Sequence, residues 1–149
     1  MRLDATPFNE PVSPGSRIMS LEHLLPLAAM AMGPSWRNEA VLVALDRQWR
    51  SLPKLIVITD VPSMPELLDT LLTWTDPSGR SVPQLLDMAR VACISRGIPF
   101  RIDPSFDWFD GDDIASTAGV QLVEWISLEP HATLLPRRLA GIAPRWPTP

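Results

Sequence analysis

Two aspartates, Asp60 and Asp103, each close a stretch that reads as a β-strand, 54–60 and 98–103. Parallel strands bring the residues at their carboxyl ends to one edge of a sheet, where open α/β sheets bind ligands. Two carboxylates there, joined by Asp107 from the segment that follows, would form an oxygen-rich donor set. Mg²⁺ takes such a set in hydrolases, nucleases and phosphoryl-transfer enzymes. Turn chemistry accounts for the same residues without a metal, because an aspartate after a strand readily bonds nearby backbone amides.

Other catalytic chemistry is poorly supplied. Cys93 is the lone cysteine, and His23 and His131 are the two histidines. That count rules out a four-ligand Cys/His zinc centre. Cys93 falls on an apolar stripe, where a thiol behaves as a small hydrophobe, so a Cys93–His131 nucleophile pair is not the expected reading. A calcium loop aligned on Gly111 would put Phe106 and Thr117 at its first and twelfth positions, neither of them a carboxylate. No glycine-rich phosphate loop, Gly-x-Ser-x-Gly elbow or His-Glu-x-x-His helix occurs in the chain.

The most unusual stretch is 103–113, DPSFDWFDGDD, which holds five acids, no base and three aromatics. Its charge of −5 exceeds in magnitude the −4 of the whole chain. Read as a loop, it offers aromatic contact area framed by carboxylates, a combination suited to a basic patch on another protein. The expected contact residues are Asp107, Trp108, Phe109, Asp110, Asp112 and Asp113. Phe8 in the N-terminal arm and Arg137, Arg138 and Trp146 near the C-terminus are expected as secondary contacts. The competing expectation folds the aromatics inward as a lid over the core and leaves the acids in water.

The elements that must position these residues follow from periodicity and punctuation. The run 54–60 is uninterruptedly apolar from Leu55 to Ile58, as in a strand covered on both faces. Ser63 and Pro65 open a helix whose residues Leu67, Leu68, Leu71 and Leu72 follow the 3.6-residue period. A second helix is expected over 82–96, closed by Gly97, and leads to the alternating strand 98–103. Upstream, helices are expected at 20–32, despite Pro26, and at 36–51. Downstream, a short helix near 112–118 precedes a strand at 120–128 and a helix at 134–142. The predicted fold is therefore α/β (or α+β), with a small sheet of about three strands and a parallel β-α-α-β core at 54–103. An extended arm (1–17) and a proline-rich tail (144–149) flank a single domain at 18–143. That strand–helix–strand rhythm is common to many α/β domains and by itself carries no function.

The length of 149 residues suits one packed domain, and 46% hydrophobic with 20% charged residues supports a core. Net acidity argues against a general nucleic-acid or anionic-membrane binder. The longest apolar stretch is too short to span a bilayer, and the expected compartment is the cytoplasm. The composite expectation is a small acidic, non-enzymatic protein-binding module, such as an adaptor, an immunity or inhibitor protein, or a regulatory accessory. No cofactor is expected on this reading. A Mg²⁺-dependent enzyme using Asp60 and Asp103 is the alternative, and a structural subunit of a larger assembly is a third.

Overall fold

The structure is a computed structural model in which residues 2–7, 17–32, 36–51 and 54–147 are described. Six strands form one mixed sheet: β1 (Arg2–Pro7), β2 (Glu39–Leu45), β3 (Lys54–Thr59), β4 (Arg90–Arg96), β5 (Gln121–Glu129) and β6 (Ala132–Leu134). Their spatial order is β1-β3-β2-β4-β5-β6. Only β4 and β5 are parallel neighbours; the other four pairs are antiparallel. The helices are α1 (Leu21–Ala31), α2 (Met64–Thr73), α3 (Val82–Leu86), α4 (Pro104–Thr117) and α5 (Pro136–Leu139). None of the described helices is long and apolar enough to cross a membrane.

The central strands divide their side chains between two cores by the period of two. Ala40, Leu42 and Ala44 of β2, Ile56 and Ile58 of β3, and Val91 and Cys93 of β4 meet α2, α3 and α4 on one face. The alternate residues Val41, Val43, Leu45, Leu55, Val57, Ala92 and Ile94 meet α1 on the other. β3 reaches β4 through α2 and α3, and β4 reaches β5 through α4. Both crossovers step the same way along the sheet, so a common handedness puts their helices on one face. There α2 and α4 pack on each other, and Gly111 permits the approach: a Cβ on it would meet Leu68 Cδ1 at 3.1 Å.

Several sequence expectations hold. β3, α2 and β5 form where they were expected, and Ser63 caps α2 by accepting from the Glu66 N–H. α1 runs through Pro26, which is solvent-exposed. The class is mixed α/β, as expected.

The sheet itself corrects the rest. It has six strands rather than about three: β2 and β4 lie inside 36–51 and 82–96, expected as helices, β1 from the expected arm pairs with β3, and β6 adds the other edge. Glu39–Leu45 is buried at every position, and a continuous apolar run of that kind fits a buried strand as well as a helix. In 82–96 the helix lasts five residues, opened by a Ser81–Gln84 capping box and ended at Asp87, whose φ of 50° is left-handed. β4 then takes Val91 and Ile94 into the sheet. The segment 98–103 is no strand: Ile98 drops into the core and the chain turns to the cap of α4. The supposed parallel β-α-α-β core is thus split, since β2 lies between β3 and β4 and runs opposite to both.

Candidate functional site

The stretch 103–113 is not a loop but the first part of α4, and this redistributes its residues. Asp103 is the N-cap, its Oδ1 accepting from the Phe106 N–H at 2.9 Å, and Pro104 takes the first turn. These are ordinary helix-start features. Asp107 is buried, with Oδ2 accepting from the Arg101 N–H at 2.8 Å and Oδ1 from Ile102 N–H at 3.4 Å. Its carboxylate therefore fastens the preceding turn to the helix. Trp108 is fully buried, and Arg145 lies 5.5 Å from its ring centre. Asp112 holds that guanidinium through both oxygens, at 2.5 and 3.0 Å.

The outward side is different. Phe106 and Phe109 remain 56% and 48% exposed, and Asp110 and Asp113 are exposed beside them. Positions 106, 109, 110 and 113 share one helix face at 100° per residue. Exposed Ile102 precedes that face, and Leu139 of α5 flanks it, where Leu139 O accepts from Ser105 Oγ at 3.1 Å. Asp103, Asp110 and Asp113 make no ion pair among the described residues, while Arg101 and Arg138 stand exposed at the borders. The result is a set of four exposed apolar side chains, Ile102, Phe106, Phe109 and Leu139, with exposed Asp103, Asp110 and Asp113 among them.

Of the six expected contact residues, Phe109, Asp110 and Asp113 lie on this face. Asp107 and Trp108 point into the molecule, and Asp112 is engaged by Arg145. The secondary contacts separate as well. Arg137 is buried, donating from Nε to Glu124 Oε2 at 2.9 Å and from a terminal nitrogen to Ile142 O at 2.5 Å. Arg138 is exposed, Trp146 is half-buried against Trp49, and Phe8 lies outside the described residues.

The carboxylates of the metal alternative do not assemble. Asp60 is exposed after β3, Asp103 caps α4 and Asp107 accepts from two backbone amides. Among the described residues no group of three or more His, Cys, Asp or Glu is placed to hold a metal ion. Cys93 is buried, and burial pushes its thiol far above the usual range, so the reactive thiolate is suppressed. His131 is exposed in the turn between β5 and β6 and does not hydrogen-bond to it.

Sequence reasoning missed two buried ion pairs, because each joins residues distant along the chain. Glu39 at the start of β2 is fully buried and receives Arg96 from the end of β4 and Arg37 at 2.9 Å. Glu124 and Arg137 form the other, at the edge of β5 that α5 covers. A charged residue inside an otherwise apolar run, as in EAVLVAL and LVEWIS, is the one signal available for them. Comparisons with protein-family models, curated proteins and solved structures return no match.

Proposed function

We propose that this protein is a non-enzymatic protein-binding module whose contact surface is the outer face of α4. The observation that carries the reading is the pair Phe106 and Phe109, about half in water on a helix whose inner side is locked by Trp108. Aromatic side chains contribute large contact area at low entropic cost, and rigid anchors of this kind dominate interface energetics. Asp103, Asp110 and Asp113, without an ion pair among the described residues, supply negative charge around them. The occupant that fits is another protein presenting Arg or Lys around an apolar centre, since complementary charge fixes register and speeds encounter.

The test uses the full chain as bait, in parallel with Phe106→Ala/Phe109→Ala and Asp110→Asn/Asp113→Asn. The expected result is a partner retained by the unaltered chain and lost with the aromatic variant. With the acidic variant it should release at lower salt. The aromatic variant should keep the thermal midpoint of the parent, as surface substitutions usually do, and the acidic variant should keep or slightly raise it. A partner retained equally by all three chains overturns the assignment to this face. So does concentration-dependent self-association abolished by the aromatic variant, because the occupant would then be a second copy.

A further inference from the structure

The β2–β3 turn gathers arginines on a fixed backbone. Asp46 Oδ1 accepts from the Gln48 and Arg50 N–H groups at 2.8 and 2.9 Å, and the Asp46 N–H donates to Arg50 O at 3.0 Å. Arg50 in turn lies opposite Arg17 as an antiparallel pair. The bond from the Ile18 N–H to Trp49 O, at 2.8 Å, flanks that pair and marks it as a non-hydrogen-bonded position. At such positions the Cα atoms are about 4.5 Å apart and the two side chains leave on the same face. Ile18 is buried in the core beneath α1, so alternation turns Arg17 to the outside.

Like charges directly opposite each other on neighbouring strands destabilise the pair. Arg17, Arg47 and Arg50 are exposed, and none of them forms an ion pair among the described residues. The carboxylate next to them in sequence, that of Asp46, is engaged by backbone amides instead. Arg47 also lines an open cavity of about 420 Å³ together with Asp87 and Arg90. Four arginines against Asp46 and Asp87 leave two net positive charges at this end of the sheet. The rest of the molecule is unlike it, since α2 and α4 together carry six acids and no base.

We propose that Arg17 and Arg50 bind the phosphoryl group of a small phosphate monoester, with Arg47 at the rim of the site. A guanidinium matches phosphate oxygens with paired N–H donors, which the point charge of a lysine does not. A monoester carries about −1.5 to −2 at neutral pH, which offsets the two positive charges of the cluster. A carboxylate would leave half of that charge in place. A long polyanion is disfavoured, because beyond the cluster it meets a chain of net charge −4.

The probes are glycerol phosphate, acetate and a short thymidine oligonucleotide, titrated into the full chain at constant ionic strength and followed by ¹H–¹⁵N NMR. Glycerol phosphate should shift the Arg17 and Arg50 Nε–H resonances saturably, with a Kd of about 1–10 mM. Arg17→Gln and Arg50→Gln should each weaken it about tenfold, as expected for removing a charge-assisted donor. Arg17→Lys keeps the charge but loses the fork, and should weaken it several-fold. The thermal midpoint gives an independent reading. Without ligand, Arg17→Gln should raise it slightly by removing the repulsion across the pair, whereas glycerol phosphate should raise it in the parent and not in the variant. Phe106→Ala/Phe109→Ala should change neither measurement, which separates this site from the α4 face. Absence of a saturable shift with glycerol phosphate overturns the site, as does an affinity indifferent to both glutamine variants. A midpoint that falls in unliganded Arg17→Gln does so too, because Arg17 would then already be satisfied. Acetate binding as tightly as glycerol phosphate overturns the assignment to a phosphoryl group, and tighter binding of the oligonucleotide overturns the choice of a small ligand.

Discussion

In α4 and its cap, five acids and three aromatics fall within eleven consecutive residues, whereas Trp49, Arg90 and Trp146 come from three distant parts of the chain. The contiguous set is dispersed by folding and the distant set is gathered. A helix turns each successive side chain by 100°, so Asp107 and Trp108 enter the interior while Phe106, Phe109, Asp110 and Asp113 face out. Around Trp49 the sheet does the opposite. The start of β4, the β2–β3 turn and the C-terminal segment meet at one edge, and ring and guanidinium cover each other. Local composition therefore measures how much charge and aromaticity a segment holds, and only the element's period decides which of it forms a surface.

The largest effect that would break this contrast is at Trp108. Because its indole is fully buried against the core that α2 and α4 share, Trp108→Ala should cost about 3–5 kcal/mol, the range for a large aromatic truncated in a packed core. Urea unfolding measures it. A loss below about 1 kcal/mol would mean that the segment is a surface loop after all. Arg145→Met comes next. It leaves both Asp112 oxygens and the Leu122 carbonyl without their donor, and should cost about 1–3 kcal/mol. An unchanged midpoint would show that the C-terminal segment is not fastened to α4.

How far the sequence foretells this molecule depends on whether local pattern and tertiary environment agree. β3 is legible because Leu55–Ile58 is apolar without a break and bounded by Pro53 and Pro62. α2 is legible because a cap, an early proline and a regular apolar stripe coincide. β2 and β4 mislead because both of their faces are covered, so no alternation marks them as strands. α4 misleads in the opposite sense: Asp107 turns inward and Phe106 and Phe109 outward, which erases the amphipathic stripe that would announce a helix. Asp103 followed by Pro104 was the signal that could have found it, an N-cap with proline at the first helical position. The buried ion pairs left only a lone charge in each apolar run, because their members meet only once the sheet order β3-β2-β4-β5 is built.

The smallest effect sharpens the contrast most, because stability and binding should move in opposite directions. Asp113 lies in the second half of α4, three residues beyond Asp110 on the same exposed face, and the last turn of the helix carries no basic residue. Negative charge there opposes the helix dipole, and like charges at i,i+3 repel. Asp113→Asn removes the charge with little change of shape, and should stabilise the fold by about 0.2–0.5 kcal/mol. Asp112 on the same helix is half-buried and held by Arg145, so neutralising it removes half of an ion pair and should destabilise. If the outer acids serve a basic partner, Asp113→Asn gains stability while partner retention becomes more sensitive to salt. Were the variant to gain stability with no change in retention, the outer carboxylates would be ordinary solvated charge, and the contact surface would reduce to its two phenylalanines.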